Sequence, residues 1–101
     1  MYDGGIMKVG QATHGIALDR LPAHRGALVE RVDAAGAHQP AERAAQLADI
    51  GFVPGEIVSV LARAWPGGDP LVVRVGHSSF ALRRAEAACV QVLPLPAATA
   101  T

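Results

Sequence analysis

The chain has 101 residues, and its nine Lys and Arg residues balance nine Asp and Glu residues, so the formal net charge at pH 7 is zero. This length indicates one small domain rather than two, because each of two domains would be too small to bury a hydrophobic core. A neutral chain without a cluster of Lys and Arg is a poor match for nucleic acid, whose phosphate backbone attracts a positively charged surface.

The two ends of the chain carry no sustained apolar periodicity. Residues 1–16 contain scattered Gly, and residues 94–101 combine Pro with Ala and Thr, so we expect a flexible lead-in and a disordered tail around one domain at 17–93. No window reaches the ~20 apolar residues of a transmembrane helix, and the N-terminus lacks the pattern of a signal peptide. We therefore expect a cytoplasmic protein without direct membrane insertion.

Short runs rich in Val, Ile and Leu alternate with clusters of Gly, Pro, Asp and Ser, which is typical of a small antiparallel sheet or barrel. The predicted strands span residues 27–33, 56–64, 71–75, 79–82 and 88–93. The first strand alternates imperfectly, which favours a β-bulge. In the second strand we expect Val58, Val60 and Ala62 on one face, with the opposite face around Ile57 also partly covered. Gly76 and His77 predict a tight turn.

One helix is predicted over about residues 40–50. Pro40 suits the first helical position, Glu42 lies near the positive N-terminal end, and Gly51 is a suitable C-terminal stop. A short helical turn is predicted at about 83–87. About five strands with these two helical segments predict a mostly β fold, a small SH3-like barrel.

The sequence contains no recognisable catalytic motif, so we expect no enzyme and no catalytic residues. No two of the four histidines have the spacing of a helical metal site; they are His14, His24, His38 and His77. The single cysteine, Cys89, lies in an alternating apolar run, which predicts a buried structural thiol rather than a reactive one. Asp69 stands between Gly and Pro, which is typical of a turn residue.

Two features suggest contact with a partner. Trp65 is predicted at a loop tip, where it is either an exposed contact residue or a side chain folded back over the mouth of the barrel. Arg83 and Arg84 belong to a charged turn, which serves either for local ion pairs or for partner contact.

Three stretches resemble the FeoA family of bacterial ferrous iron uptake. They are LADIGFVPGEIVSV at 47–60, GDPLVVRV at 68–75 and FALRRAEAACVQV at 80–92. The resemblance implies an SH3-like barrel that assists FeoB, the membrane GTPase-coupled Fe(II) transporter, by protein–protein contact on the cytoplasmic side. The expected partner-binding residues are Leu47, Ile50, Phe52, Trp65, Arg83 and Arg84.

The alternative function is a transition-metal-binding or regulatory module, because the domain also resembles the C-terminal domain of DtxR-type metal-dependent repressors. No cofactor is required by the resemblance, and direct binding of Fe(II) or Zn(II) would use ligands that the sequence does not identify. The Leu-Pro-Leu-Pro segment at 93–96 also suggests a homo-oligomer, if it occupies a groove of a neighbouring copy.

Overall fold

The computed structural model describes residues 15–96. Within this range six strands and two α-helices follow one another along the chain. They are β1 (Ile16–Ala17), β2 (Gly26–Val32), α1 (Pro40–Ile50), β3 (Ile57–Arg63), β4 (Leu71–Val75), β5 (Ser78–Leu82), α2 (Arg84–Ala87) and β6 (Val90–Pro94), with a 3-10 turn at Leu18–Arg20. The prediction of a mostly β fold with one main helix and one short helical turn is confirmed.

The strands form one antiparallel sheet in the order β1-β6-β2-β3-β4-β5. The last strand, β6, lies between β1 and β2, so the C-terminal part of the domain joins the two earliest strands. The pairing of β2 with β6 shifts register between Val29 and Arg31, which is the bulge that the imperfect alternation of this strand predicted.

A second bulge corrects one prediction about β3. The pairing of β3 with β4 shifts between Val60 and Ala62, so the alternation of side chains changes at this point. Val58 and Val60 are buried as expected, but Ala62 is exposed instead of continuing the inward face. The opposite face is also more open than expected, since 56% of Ile57 is exposed.

The core is built mainly from Val and Leu on the inward faces of the strands. No polar or charged residue is buried among them in the described part of the chain. The largest fully buried side chains are Phe52, Leu18, Leu21, Leu47, Leu71, Leu82, Val58, Val60, Val73, Val90 and Val92. Each such side chain stabilises the fold by roughly 1.5–3 kcal/mol relative to exposure in water, so this cluster is the main apolar contribution that opposes the loss of chain entropy on folding.

Helix α1 begins and ends as its sequence predicts. Pro40 occupies the start of the helix, and Gly51 follows its end with φ +126°. The Gly51 amide donates to the carbonyl oxygens of Leu47 and Ala48 at 3.2 and 3.0 Å. Among the described residues, no helix has the length and apolar character needed to cross a membrane.

Backbone pairing in the described residues reaches slightly beyond the predicted limits of 17–93. Ile16 already pairs with Val92 in the sheet. At the other end, the Leu95 amide donates to the Gly26 carbonyl at 2.9 Å, and Arg25 Nε donates to the Leu95 carbonyl at 2.7 Å. The prediction of a flexible lead-in and a disordered tail otherwise concerns residues 1–14 and 97–101, which lie outside the described residues.

Candidate interaction surface

Trp65 lies in the loop between β3 and β4 and is 91% exposed. The Ala64 amide donates to the Pro70 carbonyl at 2.9 Å, and the Gly68 amide donates to the Ala64 carbonyl at 2.7 Å, so hydrogen bonds define the loop. Gly67 and Gly68 have positive φ, a conformation that favours glycine. The loop therefore presents a large aromatic side chain to solvent, and the alternative of Trp65 as a core plug is excluded.

Asp69 connects this loop to the start of α2. Its Oδ1 accepts a hydrogen bond from the Arg84 amide at 3.1 Å and lies 3.7 Å from Arg83 Nη1. A carboxylate at this position satisfies an otherwise free amide at the N-terminus of the helix. Asp69 is thus a turn residue, as predicted, and it also holds the loop of Trp65 beside the turn of Arg83 and Arg84.

The sequence-predicted contact residues therefore fall into two groups, and the first forms what we call the Trp65 surface. It comprises Trp65, Arg83 and Arg84, joined through Asp69. The Arg83 and Arg84 side chains are both more than half exposed, although Arg84 Nη2 also lies 3.9 Å from Asp19 Oδ2. An exposed aromatic side chain, on a loop that Asp69 attaches to a turn with two guanidinium groups, suits a partner that offers an apolar pocket with carboxylates at its rim.

The second group lies inside the domain, which corrects its predicted role in partner contact. Leu47 and Phe52 are fully buried, and Ile50 is partly buried against the same core. The Phe52 amide donates to the Leu47 carbonyl at 3.0 Å, which turns the chain back over the end of α1. These three residues attach the helix to the sheet, so Leu47 and Phe52 cannot reach a partner of the folded domain.

Glu86 has a structural role that the sequence analysis did not assign. Its Oε1 accepts the Arg83 amide at 2.8 Å, and its Oε2 accepts hydrogen bonds from Arg43 Nη1 at 2.6 Å and Gln46 Nε2 at 3.4 Å. Arg83 directly precedes α2, and Glu86 follows it by three residues. This capping-box spacing is the signal that could have predicted the hydrogen bond from the Arg83 amide to Glu86. The bond to α1 depends on tertiary structure alone.

A surface cleft of about 680 Å³ lies beside the loop after β2. It is lined by Asp33, Ala35, Gly36, Ala37, His38, Arg43, Ala85, Ala88, Cys89 and Gln91. Cys89 is buried at its base, and its Sγ donates to the Ala85 carbonyl at 3.5 Å. Burial raises the pKa of the Cys89 thiol, with opposing effects from Arg43, which lowers it, and Asp33, which raises it further. The structure confirms that this thiol is buried.

The described residues contain no group of three His, Cys, Asp or Glu side chains that could hold a metal ion. His38 and Cys89 line the same cleft but do not belong to such a group. The residues of the described range therefore do not fit a resident metal, and His14 lies outside this range.

The family model described as the FeoA domain matches residues 16–94. The chain belongs to the FeoA family. The FeoA match begins and ends with the sheet itself, at β1 and β6. Among curated protein sequences, no relative matches the chain.

Solved structures of FeoA proteins resemble this domain. The zinc complex of FeoA from Stenotrophomonas maltophilia, described as an SH3 domain protein, is 41% identical, with a TM-score of 0.65 over 81% of this chain and 89% of that chain. FeoA from Chlorobium tepidum is 36% identical, with a TM-score of 0.66 over 80% of this chain and 71% of that chain. The SH3-like fold predicted from the sequence is thus confirmed.

The fold is also shared with metal-dependent repressors. IdeR from T. acidophilum is 17% identical, with a TM-score of 0.63 over 91% of this chain and 38% of that chain. At this identity the similarity concerns the fold alone, and it agrees with the resemblance between FeoA proteins and the SH3-like C-terminal domain of such repressors.

Proposed function

We propose that this FeoA protein acts in the cytoplasm as an accessory factor of ferrous iron uptake, by direct contact with the cytoplasmic part of a FeoB-type membrane GTPase and Fe(II) transporter. Membership of the FeoA family supports the pathway. The 41% identical protein from Stenotrophomonas maltophilia is described as a candidate ferrous iron transport activating factor, which supports an accessory role.

The observation that carries the proposal is the exposed Trp65, on a loop that Asp69 attaches to the turn of Arg83 and Arg84. Large aromatic and Arg side chains dominate the binding free energy of many protein interfaces, where they are removed from water by the partner. The hydrogen bond from Arg84 to Asp69 orders the loop before binding, so less conformational entropy is lost when a partner covers Trp65. The two guanidinium groups are suited to carboxylates at the rim of the interface.

The test measures binding of the full chain to the purified cytoplasmic GTPase region of the transporter. Trp65→Ala is expected to weaken the affinity at least about tenfold, because hot-spot residues contribute ~2 kcal/mol or more. Ile57→Ala is the matched control. In the described range the exposed large apolar residues are Trp65, Ile57 and Val53, and Ile57 lies outside the Trp65 surface. Equal affinities of the wild type and Trp65→Ala would contradict the proposed contact.

The role in transport needs a separate measurement in cells. A strain without this protein should take up less Fe(II), and Trp65→Ala should restore less uptake than Ile57→Ala at equal protein level. If uptake does not change when the protein is removed, the accessory role is wrong even if the two proteins bind each other.

Direct metal binding is the second candidate, and one comparison favours it: the relative from Stenotrophomonas maltophilia was solved with zinc. We assign no ligands here, because the described residues do not form a metal-binding cluster. Calorimetric titration of the full chain with Zn(II), and anaerobically with Fe(II), tests this function. Saturable binding of either ion supports it, and a titration without saturable heat excludes it.

A further inference from the structure

Strand β5 (Ser78–Leu82) forms one edge of the sheet. It pairs only with β4, through the two-residue turn of Gly76 and His77. In such a hairpin the residues that flank the turn exchange two hydrogen bonds, and every second pair does the same. The register therefore points the amide and carbonyl groups of Ser79 and Ala81 away from β4, and no backbone hydrogen bond reaches them from residues 15–96.

Apart from its short length, this edge lacks the features that usually prevent pairing between sheets. Native edge strands commonly carry charged side chains, Pro or a bulge. Here Ser78, Ser79 and Ala81 are small, uncharged and exposed, and β5 pairs with β4 without a register shift. The edge is thus open to another strand.

The partial exposure of Phe80 also favours an added strand at this edge. It lies opposite Val73, which is completely buried, yet Phe80 itself is only partly buried. Among the described strands, none lies beyond Phe80, so no neighbouring strand covers it on that side and part of the side chain stays exposed. A strand added at this edge would remove the remaining apolar area from water.

We propose that β5 pairs in antiparallel fashion with β5 of a second copy of this chain, around a two-fold axis at Phe80. In this register Ser79 lies opposite Ala81 of the second copy, and the same pair occurs again across the axis. Each pair exchanges two hydrogen bonds, so all outward amide and carbonyl groups of Ser79 and Ala81 are satisfied. The inference goes beyond the proposed function and does not depend on it.

The two-fold register also brings the two Phe80 side chains together. They form the central pair without hydrogen bonds, where Cα atoms lie about 4.5 Å apart and side chains are closest. Aromatic cross-strand pairs stabilise sheets. A second copy therefore covers the exposed part of Phe80, and the zero net charge of the chain adds no overall repulsion between copies.

The paired segment cannot continue past Leu82. The Arg83 amide donates to Glu86 Oε1, and the Arg83 carbonyl accepts the amides of Glu86 and Ala87, so neither group is available to a second strand. Only Ser79 and Ala81 remain within β5 as outward hydrogen-bonding residues. Because the edge is short, we expect a weak dimer that forms as the protein concentration rises. The symmetric register is the one in which Ser79 and Ala81 both form hydrogen bonds to the second copy.

The neighbours of the edge make the dimer sensitive to the sign of an added charge. Ser79 lies opposite Arg74, which is exposed on the outer face. In the dimer, Arg74, Ser79 and Ala81 of the second copy lie side by side on three adjacent strands, on the same face of the sheet. Position 81 of one copy is therefore close to Arg74 of the other. A Lys at position 81 would therefore be repelled across the interface, whereas a Glu would be attracted.

The first test is sedimentation equilibrium of the full chain over a range of concentrations. We expect a reversible dimer, with a dissociation constant raised about tenfold or more by Ala81→Lys and by less in Ala81→Glu. Ala62→Lys is the matched control, because Ala62 is exposed in the same row as Ala81, across Val72, but lies away from the edge. It should leave dimerisation unchanged.

A second test determines the register. Ser79→Cys and Ala81→Cys proteins, mixed under mild oxidation, should form an intermolecular disulfide between the two variants, because directly opposite residues have Cα atoms about 5.5 Å apart. Each variant alone should crosslink much more slowly. A chain that stays monomeric up to about 1 mM overturns the proposal, as does a dimer that Ala81→Lys does not weaken or one in which each variant crosslinks as fast alone as in the mixture.

Discussion

The guanidinium of Arg43 in α1 donates a hydrogen bond of 2.6 Å to the Glu86 carboxylate in α2, and this pair joins the two helices of the domain. The side chains are 26% and 18% exposed, respectively, so water screens this pair less than it screens the more exposed pair of Arg31 and Glu30. Glu86 also accepts the Arg83 amide. One carboxylate thus holds the start of α2 and its packing on α1.

Removal of this carboxylate should destabilise the domain. Glu86→Ala is expected to lower the free energy of unfolding by about 2 kcal/mol, because it removes the acceptor of the Arg83 amide and the charged partner of Arg43, which keeps only the Gln46 side-chain oxygen. Glu86→Gln should cost less, since its carbonyl oxygen can still accept one bond. Urea unfolding measures both, and Glu30→Ala is the control, because within residues 15–96 Glu30 forms only an exposed pair with Arg31. Equal effects at Glu30 and Glu86 would contradict this role.

Of Gly51, Gly55 and Gly36, we expect Gly51 to tolerate replacement by Ala least. Gly51→Ala is expected to cost about 1–3 kcal/mol, because φ is +126° and a Cβ would lie 3.0 Å from Val75 Cγ1. Gly55→Ala has positive φ but open space, so it should cost less. Gly36→Ala has neither constraint and should change stability by less than about 0.5 kcal/mol. Urea unfolding of the three variants tests this order.

The core residues and the surface residue of the predicted contact set should differ sharply in their effect on stability. Leu47→Ala and Phe52→Ala are expected to lower the free energy of unfolding by about 2–5 kcal/mol, because each leaves a cavity in the core. Trp65→Ala should change it by less than about 0.5 kcal/mol. Thermal or urea unfolding of the three variants measures the contrast, and a large loss in Trp65→Ala would mean that Trp65 packs on the domain.

Trp65 also offers a direct optical test, since it is the one tryptophan in the chain. Its fluorescence in the folded protein should be quenched by acrylamide almost as efficiently as in urea, because the ring is 91% exposed. Binding of a partner over the Trp65 surface should then reduce the quenching. Strong protection from acrylamide in the isolated chain would contradict the loop conformation.

The raised pKa of the Cys89 thiol gives a pH dependence of stability. The thiol is neutral in the folded state at pH values where the unfolded chain, with its ordinary pKa of 9.0, begins to ionise. The unfolded state therefore loses its proton first, and stability falls as the pH rises above this value. Between neutral pH and about pH 10, the wild type should lose more stability in urea unfolding than Cys89→Ala. An equal loss of stability in the wild type and Cys89→Ala would contradict the role of the Cys89 thiol in this pH dependence.

Local patterns were sufficient for most of the fold. Pro40 and Gly51 delimit α1 because the restricted φ of proline and the positive φ of glycine act within a few residues. The pair Gly76–His77 predicts its hairpin for the same reason. Three stretches of sequence also resemble the FeoA family, whose model then matched residues 16–94.

Two features of the sheet could not be predicted from the sequence alone. The bulge between Val60 and Ala62 depends on how β3 pairs with β4, so the outward turn of Ala62 was missed. The strand at Ile16–Ala17 is too short to show periodicity and exists because β6 is available beside it. Both depend on pairing between residues that are distant in the chain.

Residue type identifies the large apolar side chains of this chain, but tertiary contacts determine which of them fill the core and which stay exposed. Leu47, Phe52 and Trp65 are all large and apolar, and composition does not distinguish them. The sheet buries the first two beneath the end of α1, whereas the hydrogen bond between Asp69 and the Arg84 amide holds the loop of Trp65 at the surface. Burial depends on contacts between distant segments, which no local pattern encodes.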